Sequence, residues 1–338
     1  VAKTTIDDVA KRAGVSIKTV SRVINREPNV REQTRERVLQ AVTELDYRPN
    51  QSARRLAGSR SFLIALVYDN PSASYVINVQ TGVLEQCQSN SIDLLIHPCG
   101  YEDDDLVSSL QAMIRHSNID GIILTPPLSD TPRLLDALDD WGTPYVKLSP
   151  GTRSDKQRSI YTNDVSATEQ LVAHLAELGH RKIGYIAGHP DHYAVVKRLE
   201  GFKRGMQAVG LPIQEAYIRQ GFNSMASGVD CAKQLLDLPD PPTAIAAAND
   251  EMAVGALNVA HDRGLSVPQQ LSVAGFEDIP LASQVWPALT TVDQPVSEMA
   301  NLAARLLLDQ IEEKRPEQEL YLVESTLQVR QTTGPAPS

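Results

Sequence analysis

The sequence predicts an α/β protein, with a two-lobed core of alternating strands and helices behind a small all-α head. Three observations carry that expectation. From Phe62 onward, apolar runs of strand length alternate with helical patterns, the mark of parallel sheets with right-handed crossovers. The alternation restarts after Arg158, so two α/β sets lie in tandem. Charge separates the head from the rest: residues 1–60 carry thirteen Lys and Arg against seven Asp and Glu, a net of +6, while the whole chain is at −10, which leaves −16 on the remainder. A polyanion would meet the head and be repelled by the body.

The head begins with TTIDDVAKRAGVSIKTVSRVINR, Thr4 to Arg26. Thr5 caps a first helix, with Asp8 three residues on in the acidic first turn, and Ile6, Val9, Ala10 and Ala13 form one apolar stripe. Gly14 takes the left-handed backbone of a tight corner, Val15 plugs it, and Ser16 caps a second helix that runs to Asn25. Val20, Val23 and Ile24 face inward, leaving Ser16, Lys18, Thr19, Ser21, Arg22 and Arg26 outside. Hydroxyls and cations at the exposed start of a second helix suit base edges and phosphates in a major groove. An ordinary helical hairpin with a solvated polar face is the plainer reading of this stretch alone. A third pattern, Asn29 to Leu45, braces the first two, with Tyr47 packed on the bundle.

Pro49 and Asn50 then stop and re-cap the chain, and QSARRLAGSRS allows little more than one or two helical turns before Gly58 and Ser59. So short a helix is marginal alone and is expected to fold when docked. Arg54, Arg55 and Arg60 suit phosphates. Leu56 has no evident core to enter; it fits a wedge between base steps in a minor groove, or a flexible linker touching the body.

In the body the order is strand Phe62–Val67, loop Asn70–Ser74, helix Val76–Asn90, strand Ile92–His97, helix Leu106–Arg115, strand Gly121–Leu124, helix Leu134–Trp141 and strand Tyr145–Leu148. The second set is helix Ser166–Leu178, strand Lys182–Ile186, helix Leu199–Val209, strand Tyr217–Arg219, helix Ser227–Leu236, strand Ala244–Ala247, helix Met252–Arg263 and strand Leu271–Gly275. An amphipathic helix Val296–Glu312 and the strand-like Leu320–Leu327 return to the first lobe before a last strand, Gln328–Thr332, reaches the second. A cleft crossed by several strands is a common small-molecule site and transmits lobe closure.

Strand ends facing that cleft carry Tyr68, Asp69, Asn70, Ser72, Ser74, Tyr75, Ser149, Asn163, Asp164, His189, Tyr193, Arg198, Phe222, Asn249, Asp250, Glu277 and Gln294. Carboxylates, amides and a guanidinium with aromatic rings between them suit a neutral polyol. Asn249 with Asp250 reads equally as the cap of a helix starting near Glu251. Enzyme signatures are missing: the sequence has no GxxxxGK[ST], no GxSxG, and no GxGxxG after the first strand. His189, Asp191 and His192 lack a third metal ligand nearby, and Asp103 to Asp105 read as a solvated helix start. Cys87, Cys99 and Cys231 have no zinc spacing and read as buried free thiols of a reducing compartment. No apolar run approaches the ~20 residues of a membrane span and no signal peptide stands at the start, so a cytoplasmic, nucleoid-associated protein is expected.

The motifs TIDDVAKRAGVSIKTVSRVIN, YRPNQSARRLAG, GHRKIGYIAG, RLEGF, NDEMAVGAL, LSVAGFED and PALTTVDQP, in this order over the whole length, resemble the lac repressor/galactose repressor (LacI/GalR) family of bacterial transcription regulators. The resemblance implies a helix-turn-helix DNA-binding head at 1–48 and a hinge helix with linker at 49–60. It also implies a periplasmic-binding-protein-like core, with a first lobe at 61–161 plus 293–324, a second at 162–292 plus 325–334, and a disordered tail at 335–338. DNA contacts would come from Thr5, Ser16, Ile17, Lys18, Thr19, Ser21, Arg22 and Asn25, and from Asn50, Ser52, Ala53, Arg54, Leu56 and Ala57 of the hinge. Arg198 would clamp an effector, Asn249 and Asp250 would supply the family's ND pair, and Phe222 would stack on a sugar. The expected protein is a homodimer, paired through its first lobe, that binds a pseudo-palindromic operator. It would have no enzymatic activity, cofactor or metal, and would repress carbohydrate-utilisation genes under a sugar or sugar-derivative effector. The alternative is a corepressor-dependent regulator of a non-sugar metabolite. Glu277 stands where the family usually has Asp, and Tyr75 where Phe is frequent.

Overall fold

The computed structural model describes residues 4–24, 30–47, 60–70, 72–151, 159–314 and 320–337. The expected hinge contacts Asn50 to Ala57, together with Asn25, lie outside the described residues. The chain divides into two compact units, Val1–Phe62 and Leu63–Ser338.

In the first unit, α1 spans Ile6–Ala13, α2 Ile17–Ile24 and α3 Glu32–Glu44. Thr5 and Asp8 close a reciprocal capping box: the Thr5 hydroxyl accepts from the Asp8 backbone N–H, and the Asp8 carboxylate accepts from the Thr5 N–H at 2.9 Å. Gly14 ends α1 at φ 64°, and the Ser16 hydroxyl accepts from the Thr19 N–H at 3.2 Å. Val9, Ala10, Ala13, Val20, Val23, Val38, Ala41 and Tyr47 make one small core. Arg31 keeps an extended backbone, so α3 starts at Glu32 rather than at the beginning of the apolar period. With so small a core, single caps matter. Thr5→Ala is expected to cost the head about 1 kcal/mol, read as a lower midpoint for the head in thermal melting followed by circular dichroism.

The second unit holds two six-stranded sheets. The first has the order β11-β5-β4-β3-β1-β2, built from β1 Leu63–Tyr68, β2 Asp93–Pro98, β3 Gly121–Leu124, β4 Tyr145–Leu148, β5 Ser159–Thr162 and β11 Leu320–Val323, with every pairing parallel. The second runs β12-β10-β9-β8-β6-β7, from β6 Ile183–Ala187, β7 Ile218–Gln220, β8 Ala244–Ala247, β9 Ser272–Glu277, β10 Thr290–Asp293 and β12 Thr326–Gln328, where only β12 is antiparallel. The helices are α4 Ala73–Asn90, α5 Leu106–Ser117, α6 Pro132–Asp140, α7 Asp164–Glu177, α8 Tyr193–Ala208, α9 Met225–Leu236, α10 Asp250–Asp262, α11 Pro280–Gln284 and α12 Val296–Ile311. Burial on both faces explains the unbroken apolar run of β1: Ile64 and Leu66 enter one core with α4 and α12, while Ala65 and Val67 enter another with α5 and α6.

Several expectations change. Ser159–Thr162 is a strand that the apolar pattern did not announce, because three of its four residues carry hydroxyls. α8 starts at Tyr193, six residues before the expected Leu199, because Arg198 occupies a core-facing turn between Val195 and Phe202 and breaks the apolar period. The run Leu320–Leu327 splits into two strands in different sheets. The last strand is Thr326–Gln328, not Gln328–Thr332, and Ser325 at the break donates its N–H to Asn163 Oδ1 at 2.7 Å. The tail is also held: Ala336 N–H donates to the Leu178 carbonyl at 2.8 Å. Among the described residues no helix is long and apolar enough to cross a membrane.

The chain passes between sheets three times, from β5 into α7, from β10 into α12, and from β11 into β12. Asn163, Gln294 and Ser325 sit at these crossings.

Candidate functional site

Arg198 organises the site. It is 2% exposed, projects from the buried face of α8, and meets acceptors from four separate segments. Nε donates to Asp164 Oδ1 at 2.9 Å, and Nη1 to the Ala248 carbonyl at 2.7 Å and to Glu277 Oε1 at 3.2 Å. Nη2 donates to Gln294 Oε1 at 3.0 Å. The Phe276 ring lies 3.9 Å from the guanidinium carbon. Burial opposes the charge of Arg198, but Asp164 and Glu277 outweigh it and raise its pKa above the ordinary value. For Glu277 burial dominates, and its carboxyl sits above the usual range despite Arg198. Asp164 belongs to the first crossing and Gln294 to the second, so one side chain ties two crossings to the ends of β8 and β9.

Beside this network lies a cavity of about 40 Å³ lined by Asn70, Ser72, Tyr75, Pro126, Ser149, His192, Ala194, Val195, Arg198, Asn223, Asn249, Glu277 and Gln294. That is well below the roughly 300–1,000 Å³ of pockets that enclose drug-sized ligands. Ser149 and Ala194 also line a larger chamber of about 670 Å³, with Tyr161, Asn163, Asp164, Tyr193 and Lys197. A hydrogen bond joins the two lobes beside the cavity: Tyr101 Oη donates to Asp191 at 2.5 Å.

Of the residues expected at the cleft, the cavity gathers Asn70, Ser72, Tyr75, Ser149, Arg198, Asn249, Glu277 and Gln294. Asp164 and Tyr193 line the larger chamber instead, and Tyr193 and Arg198 lie on a helix, not at a strand end. Tyr68 packs against the first-lobe core, and Asp69 accepts the Tyr101 N–H at 2.9 Å. His189 stacks edge-on to His192 and Phe222, and Phe222 is 53% exposed. Asp250 turns inward: it accepts from the Thr291 hydroxyl and, at 2.9 Å, from the Ile279 N–H, and burial raises its carboxyl well above the usual range. It thereby braces a strained turn, with Glu277 at φ 110° and Asp278 at φ 52°, which Arg330 also grips through Asp278 at 2.7 Å. Asn249 does cap α10, through the Met252 N–H at 3.0 Å, while its Nδ2 donates to the Asn223 carbonyl.

Sequence reasoning missed His192 and Asn223 as cavity residues. His192 was legible only as part of a loop histidine pair, because nothing local shows that α8 begins one residue later. Burial, then the neighbouring His189 and Arg198, push His192 down to about 4, against the opposing pull of Asp69 and Asp191. Its folded value lies below the ordinary 6.5, so the unfolded chain takes the proton first as pH falls. The expected result is stability lost as pH drops from about 6.5 to about 4, with His192→Gln showing a shallower slope in urea titrations across that window.

On the head, Ser16, Ile17 and Lys18 are exposed at the start of α2, Ile17 at 47%, while Thr19, Ser21 and Arg22 are half-buried. Thr5 is exposed but engaged in the capping box. Among the described residues no group of three metal-ligating side chains occurs.

A family model described as bacterial regulatory proteins, lacI family, matches residues 5–50, and one described as a periplasmic binding protein-like domain matches residues 172–333. The HTH-type transcriptional regulator DegA of Bacillus subtilis (strain 168) is 34% identical over 335 residues, covering 98% of this chain and 99% of that protein. A transcriptional regulator CelR–cellobiose complex superposes with a TM-score of 0.75 at 31% identity, over 98% of this chain and all of the other. The lac repressor dimer bound to operator and the anti-inducer ONPF gives 0.76 at 29% identity, over 98% and 100%.

Proposed function

Because the chain belongs to the lacI family of bacterial regulatory proteins, we propose that it represses carbohydrate-utilisation genes and that a sugar or sugar derivative in the interlobe cavity sets its operator affinity. Members of this family are DNA-binding regulators that respond to small molecules, not enzymes. The observation that carries the reading is the set of groups around Arg198. Amides of Asn70, Asn223, Asn249 and Gln294, hydroxyls of Ser72, Tyr75 and Ser149, and the Glu277 carboxylate converge where two crossings are tied together. Hydroxyl groups both donate and accept, so a polyol satisfies such a mixed lining. The likeness to a cellobiose-bound regulator supports the same class of ligand.

In this reading the ligand competes for Glu277 and Gln294, alters how Arg198 joins the crossings, and so changes the angle between lobes. Operator affinity changes by the same factor as ligand affinity, since the coupling is reciprocal. Ser16, Ile17, Lys18, Thr19, Ser21 and Arg22 present the DNA-reading face, and Asn50 to Ala57 form the hinge. Ile77 and Leu84, 59% and 40% exposed and seven residues apart on α4, offer an apolar face for pairing two first lobes.

The test is selection of duplexes from a random pool, followed by binding titrations over a salt series with and without sugars. Operator affinity is expected to fall linearly in log K against log salt, and to change when the effector is added. Leu56→Ala is expected to weaken operator binding by about tenfold or more while leaving random-duplex binding nearly intact. Equal loss on both would remove the wedge role from Leu56, and no duplex preference at all would end the regulatory reading.

A further inference from the structure

The geometry points to an uncharged ligand: the interlobe site accepts a neutral polyhydroxy ring system and rejects its phosphorylated or carboxylated forms. This rests on the sugar reading above and narrows it.

Among the described residues lining the inner cavity, the one guanidinium is already engaged. Arg198 directs four of its five N–H groups at Asp164, the Ala248 carbonyl, Glu277 and Gln294, and Phe276 covers one face. A phosphate or carboxylate takes an arginine as a fork, through two parallel N–H bonds. Only one N–H of Nη2 is left over, so that fork cannot form here without displacing at least one of these acceptors, and where the one displaced is Asp164 or Glu277 a buried carboxylate loses its cation.

The surroundings do not make good the deficit. The larger chamber adds Lys197 and Arg204, but both pair with Glu200, Lys197 at 2.8 Å. Across the two chambers the described lining residues hold three cations, Arg198, Lys197 and Arg204, against four carboxylates, Glu277, Asp164, Glu200 and Glu169. Helix N-termini pull the other way. Those of α4 and α10 are occupied by their caps, Ser72 and Asn249. The starts of α8, after His192, and of α7, after Asn163, have no side-chain cap, and each offers about half a positive charge; together they offset the one negative charge in excess and leave no net positive field to hold an anion. A neutral ligand meets no such conflict. Its hydroxyls can donate to the Glu277 oxygen left over from Arg198 and accept from the amides of Asn223 and Asn249.

The experiment is calorimetry on the full-length protein with matched sets. Glucose, galactose, mannose, cellobiose, maltose and lactose are titrated beside glucose 6-phosphate, galactose 6-phosphate, mannose 6-phosphate, glucuronate and galacturonate. The expected result is that at least one neutral sugar binds and that anionic forms of the same ring bind at least about a hundredfold more weakly. Glu277→Gln, which removes one carboxylate charge, is expected to narrow that gap by about tenfold. An anionic form that binds as tightly as its neutral counterpart, or more tightly, overturns charge selection while leaving the sugar reading in place. Binding by no member of either set overturns the sugar reading itself, and the inference with it.

Discussion

Replacing Arg198 with alanine is expected to destabilise the second unit by about 3–5 kcal/mol and to abolish the coupling between effector and operator. The guanidinium is 2% exposed and joins Asp164, Ala248, Glu277 and Gln294. Removing it leaves the carboxylates of Asp164 and Glu277 without their buried cation, and that residual charge accounts for most of the cost, more than any single lost hydrogen bond. Urea denaturation at pH 7 measures the first part. Operator titration with and without the effector measures the second, since the variant should hold a constant operator affinity whatever ligand is added. Arg198→Lys should recover little of either, because an ammonium cannot reach acceptors spread around a planar fork. Wild-type stability in Arg198→Ala would mean that the network is ornamental.

The second large effect is expected at Gly82, in the middle of α4. A Cβ built there falls 2.0 Å from the Ser297 carbonyl oxygen and 2.9 Å from the Asn301 nitrogen, both backbone atoms of α12. Alanine is favoured over glycine inside a helix by about 1 kcal/mol, yet backbone cannot yield as a flexible side chain would. Gly82→Ala is therefore expected to destabilise by about 2–3 kcal/mol, with α12 pushed outward. Because α12 follows directly from the crossing at Gln294, the same variant should also shift the effector response, which calorimetry with a bound sugar would register. A stabilised Gly82→Ala protein would contradict the close approach of these helices.

Much of the fold was legible because its signals are local. The capping box of Thr5 and Asp8, the left-handed Gly14 and the buried strands Gly121–Leu124, Tyr145–Leu148 and Ala244–Ala247 each announce themselves within a few residues. Periodicity failed where a core position is polar by design, as at Arg198, and where a strand carries hydroxyls, as at Ser159–Thr162. Composition could suggest which polar residues end strands near a cleft. It could not say that Asp250 braces the turn after β9, or that His192 lines the cavity.

By itself, then, the sequence determined the small helical head with its outward Ser16 and Lys18, the doubled α/β rhythm, and the segregation of positive charge to the front. Capping, pleat and period act over a handful of residues, and each can be read where it stands. Only the tertiary structure decided that Arg198 spends its donors on Asp164, Ala248, Glu277 and Gln294, that Gly82 lies against Ser297, and that the cavity is almost shut. Those contacts join segments tens to hundreds of positions apart, and whether a buried charge is paired depends on which partners three chain crossings bring within 3 Å or so of it.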